Sequence, residues 1–205
     1  MYLVIGSGDT TKLLSGKKTK GFRELIEKFI AENPPYYNSF ASPIDALRTG
    51  AILERRYLLC LKDDYYFQYK KNSNEFDCLC STIDFAKFSK GELVDFDELK
   101  TIHFTDFIES IVPLSQMELE EQNKLLKKMF KSNYNQLQFQ LFCTGLNSAN
   151  LVFLAVHNYN DEDNIFREIT ENDFIKFRVN RDENVINQIK ERAKLFQSIK
   201  DYINN

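Results

Sequence analysis

Between Val94 and Phe104 the chain reads V-D-F-D-E-L-K-T-I-H-F, a strand-like alternation that sets Val94, Phe96, Ile102 and Phe104 on one face with Glu98 and Lys100 between them. A carboxylate and an ammonium thus interrupt an apolar face. Burying either charge without a partner costs several kcal/mol, roughly, so a strand carrying both in mid-face is better suited to building a site than to filling a core. This points to a catalytic protein.

The rest of the composition sets the frame for such a site. With 205 residues, 43% hydrophobic and 14% aromatic, the chain is long enough to bury a sizeable core and fits one domain, residues 1–205, better than two. Only 7 Gly and 4 Pro argue against a turn-rich sandwich, while helical and strand-like patterns alternate along the chain. The expected class is α/β, a central mixed β-sheet flanked by helices. A formal net charge of -3 carries no global basic signature. It does not exclude nucleic acid, because carboxylates gathered around a metal subtract charge locally and leave basic patches elsewhere. Cys60, Cys78, Cys80 and Cys143 have neither C-x-x-C spacing nor nearby histidines, so reduced thiols are expected rather than a zinc site or a disulfide framework. The start M-Y-L-V-I-G-S-G-D lacks the pattern of a signal peptide, and no apolar run is long enough to span a bilayer, so no membrane association and a cytoplasmic location are expected.

Along the chain, Phe22, Leu25, Ile26, Phe29 and Ile30 lie at helical spacing and are stopped by Asn33-Pro34-Pro35. A second helix is expected from Ser42-Pro43 to about Leu61, with Glu54 inside a stripe of Leu47, Ala51, Leu58 and Leu61. Tyr65–Tyr69 reads as a strand, Lys70–Glu75 as a polar turn, and Phe76–Phe85 as a strand entering a loop at Ser89-Lys90-Gly91. Residues 105–131 read as helical with a break at Pro113, and Met117–Phe130 as largely exposed. A helix over Tyr134–Thr144 ended by Gly145, strands over Leu151–Val156 and Phe174–Val179, and a closing helix over Asp182–Ile203 complete the reading.

Asp84, at the end of its strand in C-L-C-S-T-I-D-F, can meet Glu98 if the two strands form a hairpin. Two carboxylates and the carbonyl of Leu99 would make an open site for a hard divalent cation, which takes oxygen ligands and keeps several waters. Lys100, two residues after Glu98 and on the same strand face, could orient or help deprotonate a water there, and Glu54 could complete the cluster.

In the order Glu54 in G-A-I-L-E-R-R, Asp84 in S-T-I-D-F, the E-L-K tripeptide, and Y-N-Q-L-Q-F-Q-L-F-C-T-G-L-N-S-A-N-L-V-F-L-A-V, the chain resembles the PD-(D/E)xK nuclease superfamily, in its lambda exonuclease-like branch of phage recombination exonucleases. The resemblance spans most of the chain. It implies a restriction-endonuclease-like core, a catalytic set of Glu54, Asp84, Glu98, Lys100 and Gln136, and Mg2+ or Mn2+ held by Asp84, Glu98, Leu99 and Glu54. It further implies exonuclease action on linear duplex DNA, a ring-shaped homo-oligomer, and a single-strand annealing or DNA-binding partner protein. I-G-S-G-D-T-T-K-L-L is similar to the branch's short Ser/Thr segment and nominates Ser7, Thr10, Thr11 and Lys12 as nucleic-acid contacts. Asp84 follows Ile83 and precedes Phe85, where the branch usually places proline and glycine, and no arginine precedes the Ser/Thr segment.

Other readings stand beside this one. The same cluster would serve a structure-specific or restriction-type endonuclease, and the same fold could be an inactive DNA- or protein-binding module. Taken residue by residue, Arg55 and Arg56 suit a solvated face, Gln136, Gln138 and Gln140 are ordinary helix residues, and Asp95 and Asp97 suit the solvent face of their strand, with Asp97 within reach of a second metal. His103 and His157 are expected to be structural.

Overall fold

The computed structural model describes residues 3–31, 45–61, 64–159 and 165–205. The expected helix stop at Asn33-Pro34-Pro35 and start at Ser42-Pro43 lie outside the described residues.

A mixed six-stranded sheet is flanked by helices. Its strands are β1 (Ile5–Gly6), β2 (Tyr65–Asn72), β3 (Leu79–Ser89), β4 (Glu92–His103), β5 (Ser148–Val156) and β6 (Phe174–Asn180). β3 pairs with β1 in parallel, with β2 antiparallel, and with β4 antiparallel; β4 then pairs in parallel with β5, and β5 antiparallel with β6. The strand expected over Phe76–Phe85 starts later and runs on through Ser89, and the polar stretch expected as a turn at Lys70–Glu75 continues β2 as far as Asn72. Exposed Lys70 and Asn72 alternate with half-buried Lys71, so the polar sequence is that of an edge strand.

Alternation along β5 defines the two faces of the sheet. Leu151, Phe153 and Ala155 enter the larger apolar cluster, and Val152, Leu154 and Val156 enter the smaller one. A strand covered on both sides reads as a continuous apolar run, which is why N-L-V-F-L-A-V was legible. Over the larger cluster lie α2 (Lys20–Ile30), α7 (Lys131–Thr144) and α8 (Glu183–Asn204), through Phe22, Leu25 and Phe29, Leu137 and Leu141, and Ile189 and Phe196. The smaller cluster is covered by Leu53 and Tyr57 of α3 (Asp45–Leu58). α3 therefore buries Leu53 and Tyr57, one turn apart, alongside part of the expected stripe, since Ala51 is buried and Leu58 and Leu61 pack against the smaller cluster. Leu47 is 43% exposed, and Glu54 stands beside the buried stripe instead of within it. Tyr57 tips the choice of face, because its ring fills the core and its hydroxyl finds a buried partner.

Local signals explain the ends of the elements. The Thr19 hydroxyl caps α2 by accepting from Phe22 N, and Asp182 caps α8 by accepting from Asn184 N and Val185 N. Gly145, with φ 78°, ends α7 in the left-handed conformation that glycine adopts cheaply. α1 (Thr10–Leu13) leads into α2, and residues 104–115 form an irregular helical stretch, α4 (Phe104–Asp106), a π turn (Phe107–Ile111) and α5 (Val112–Ser115). Pro113 sits in the first turn of α5, where no amide is needed. Phe104, expected on the strand, instead opens α4 behind His103, whose ring nitrogen accepts from Thr105 N. α6 (Leu119–Met129) is largely exposed, with Leu126 fully buried. No helix among the described residues is long and apolar enough to cross a membrane.

The β3–β4 hairpin closes on Lys90 and Gly91, with φ 52° and 83°, between the paired Ser89 and Glu92. Positive φ at both central residues is what a two-residue type I′ hairpin requires, and lysine pays for it in strain that asparagine would largely avoid. Lys90→Asn should stabilise the protein by about 0.5 kcal/mol. A rightward shift of the urea midpoint at unchanged slope is the expected result.

Candidate active site

The hairpin brings Asp84 and Glu98 together and then opens between them. The β3–β4 register ends at Phe85↔Asp97, and continued by one step it would set Asp84 opposite Glu98, where no pair forms. Instead Asp84 Oδ2 accepts the Leu99 amide at 2.9 Å. Because the N–H and C=O of a strand residue point to the same edge, the Leu99 carbonyl also faces this opening. Beyond the fork β4 continues alone with β5, from Asp97↔Asn150 to His103↔Val156.

Glu98 is 1% exposed, and its carboxylate is held from three sides. Lys100 Nζ reaches Oε1 at 2.7 Å, Gln136 Nε2 reaches the same oxygen at 2.5 Å, and Gln140 Nε2 reaches Oε2 at 2.6 Å. Gln136 and Gln140, one turn apart on α7, deliver both amides from one helix face. Gln140 also donates to the Thr82 carbonyl at 2.9 Å, while its own Oε1 is buried without a partner among the described residues. Gln138, on the other side of α7, donates to Asn180 O and accepts from Asp182 N, tying the helix to the β6–α8 turn. Gln138 and Gln140 are not the ordinary helix glutamines expected, and Gln136, nominated by the resemblance, meets Glu98. The signal for Gln140 was its spacing of four residues from Gln136.

Glu54 projects from α3 into the field of Glu98 and Lys100. Burial pushes its carboxyl up, helped by Glu98 and opposed by Lys100 and a hydrogen bond from Gln68. Asp84 is raised well above the usual carboxylate range, first by burial, then by Glu98 and Glu54, against Lys100 and the Leu99 amide. For Lys100, burial disfavours the ammonium, but Glu98, Asp84 and Glu54 outweigh it and hold the group protonated. The structure thus brings Glu54, Asp84, Glu98, Lys100 and Gln136 together. A cleft of about 240 Å3 opens beside them, lined by Gly50, Ala51, Glu54, Leu99, Lys100 and Thr101. A larger cleft, about 790 Å3, lies toward the C-terminal end of α3 between Cys60, Tyr65 and Phe174. Its Lys176 and Arg56 are engaged by Asp97 and the Arg167 carbonyl, and it lacks the gathered carboxylates of the smaller cleft.

The chemistry of the donor set fits a hard divalent cation. Three carboxylates repel one another across the fork with one ammonium to offset them, and a backbone carbonyl faces the same gap. Among the described residues no three Asp, Glu, His or Cys side chains are gathered closely enough to chelate an ion by themselves. Asp84, Glu98 and the Leu99 carbonyl would therefore hold Mg2+ or Mn2+ with waters completing the shell, as such ions prefer, and Glu54 would act from the far side.

The other nominated residues fall out differently. Ser7 is buried, and its hydroxyl donates to the Thr82 carbonyl that Gln140 also uses. Thr10 is 1% exposed and donates back to Ser7 O, so it is not available to nucleic acid. Lys12 pairs with Glu24 at 3.0 Å. Thr11 is exposed and contacts Ser132 at the start of α7. Asp97, expected on the solvent face, is wholly buried on the α3 side, where Tyr57, Asn150 and Lys176 satisfy it. Asp95 pairs with Arg178. The signal missed was cross-strand, since Asn150 stands opposite both Asp97 and Arg178.

Mutual repulsion makes the cluster a liability in the absence of metal. A carboxyl whose folded value is raised leaves the native state binding more protons than the unfolded chain, so its contribution to stability falls as pH rises from the unfolded value, 3.8 for Asp84, through the raised folded one. Asp84→Asn keeps an acceptor for Leu99 N and removes the charge. In metal-free buffer it should raise the melting temperature at pH 8 and by less at pH 5, where wild-type Asp84 is more fully protonated; an equal gain at both values would contradict the repulsion.

No family model matches the sequence, and no curated protein matches it. Solved structures do. An alkaline exonuclease, LHK-Exo, from Laribacter hongkongensis superposes with a TM-score of 0.63 at 14% identity, over 98% of this chain and 89% of that one. Its complex with dAMP gives 0.61 at the same identity and coverage. A phage related exonuclease from Haemophilus somnus gives 0.59 at 14% identity, over 99% of this chain and 96% of that one. The chain therefore shares the fold of these exonuclease structures.

Proposed function

We propose that the protein is a metal-dependent deoxyribonuclease that hydrolyses phosphodiester bonds, acting as an exonuclease on linear duplex DNA. The observation that carries the reading is the fork itself, where Asp84, Glu98 and the Leu99 carbonyl meet with Lys100 and Glu54 beside an open cleft. The likeness to structures described as exonucleases supports it. Bound Mg2+ or Mn2+ would supply Lewis-acid charge that lowers the pKa of water and offsets charge on the phosphate.

The chain's own residues do the rest. Lys100, kept as an ammonium by its carboxylate neighbours, is placed to orient the attacking water and to bind a phosphate oxygen rather than to act as a resting-state base. Gln136 and Gln140 fix the Glu98 carboxylate, so its orientation does not depend on the substrate. Gly50 and Ala51 leave the α3 wall of the cleft low beside Lys100 and Thr101.

Linear duplex DNA labelled at either end, incubated with and without Mg2+, tests the reading. Wild type should release label only with the metal and leave closed circular DNA intact. Lys100→Ala, folded by circular dichroism, should lose about 100-fold or more in rate. Cutting of circles would assign an endonuclease, and binding without cleavage under Mg2+ and Mn2+ would assign an inactive module.

A further inference from the structure

β2 carries a distortion at the level of the carboxylates. Its ladder with β3 pairs Phe67 with Phe85 and Tyr69 with Ile83, yet the rung between, Gln68 with Asp84, is not made. Gln68 has φ 51°, a left-handed conformation that L side chains other than Asn and Asp seldom adopt, least of all inside a strand. Lys90 shares this conformation, but there the hairpin turn requires it. At Gln68 no turn does.

The faces change over at this rung in both strands. Tyr65 and Phe67 pack with the smaller cluster and Tyr69 with the larger, while Phe85 belongs to the smaller and Ile83 to the larger. In an undistorted strand all of these odd-numbered residues in each strand would share one face. The outcome is that Asp84, at the changeover, reaches the Leu99 amide, while Gln68, on the unmade rung beside it, lies near enough to Glu54 on α3 to favour its ionised carboxylate. Gln68 lies in an exposed position of the strand, so it engages Glu54 from the rim without deep burial.

Strain kept in an edge strand, at the one rung that faces the carboxylates, is better explained by the site than by the core, which gains nothing from an exposed glutamine. We infer that Gln68 is a positioning residue, its strained backbone retained so that its amide holds Glu54 toward Asp84 and Glu98 in the metal-binding arrangement. This rests on the nuclease reading only through the metal, and binding of the metal can be followed without DNA.

The experiment is thermal unfolding of the full chain titrated with Mn2+, for wild type, Gln68→Gly and Gln68→Asn, with DNA digestion in parallel. Glycine relieves the backbone and removes the amide. It should leave the metal-free melting temperature equal or higher while raising the Mn2+ concentration for half-maximal stabilisation about tenfold, in the range for loss of a residue that orients a ligand. Asparagine tolerates the left-handed conformation and keeps a shorter amide, so it should fall between the two. A Gln68→Gly protein that responds to Mn2+ at the wild-type concentration and cleaves DNA at the wild-type rate overturns the role of Gln68 alone. A wild type whose unfolding ignores Mn2+ overturns the metal reading and this inference with it.

Discussion

The buried carboxylate of Glu98 is the constraint around which the molecule is arranged. A charge that is 1% exposed survives only with strong partners, and Glu98 has Lys100 from its own strand and Gln136 and Gln140 from α7. Those bonds fix where α7 lies on the sheet. Gln138 then locks the same helix to the β6–α8 turn, and Tyr134 from α7 donates to Asp182, the cap of α8. The site and the main core are thus built by one helix that is buried nearly all round, so α7 cannot shift without moving Glu98.

The adjacent Asp97 shows what a carboxylate looks like when it serves the fold alone. Pointing to the other face, it takes a phenol from Tyr57, an amide from Asn150 and an ammonium from Lys176, all from elements that cover it. Its charge is matched by one cation and closed off. On the Glu98 face one ammonium is shared among three carboxylates beside an open cleft. Burial is common to both; the difference is the uncompensated charge, and that is what sets the two neighbouring carboxylates apart.

Much of this was legible from residue order. α2, β5, α8 and the glycine end of α7 follow from apolar spacing and punctuation, because in each the local pattern and the burial agree. The Asp84–Glu98 hairpin was readable from E-L-K and its upstream partner. α3 was read in part, with Ala51, Leu58 and Leu61 on the covered side as expected, while Leu53 and Tyr57 were missed because the Tyr57 hydroxyl has a buried acceptor that only the folded sheet supplies. Asp97 was misplaced for the same reason, its partners lying on β5, β6 and α3, far away in sequence. Gln140 carries only its spacing of four residues from Gln136, and Gln68 carries no charge or rarity that would single it out. Each matters through a long-range contact or through a backbone angle, which no periodicity expresses.

The absence of the usual proline and glycine around Asp84 gains a physical meaning from the fork. A proline before the aspartate would remove a ladder amide and break the strand there, and a following glycine would ease the bend. This chain has Ile83 and Phe85 instead, both fully buried and on opposite faces, so neither can be given up without loss of core. The irregularity is therefore shared across the rung, with the left-handed backbone at Gln68 on β2, the change of face at Asp84 on β3, and the pairing broken between Asp84 and Glu98. The left-handed backbone falls on the neighbouring strand, where an exposed edge can bear it.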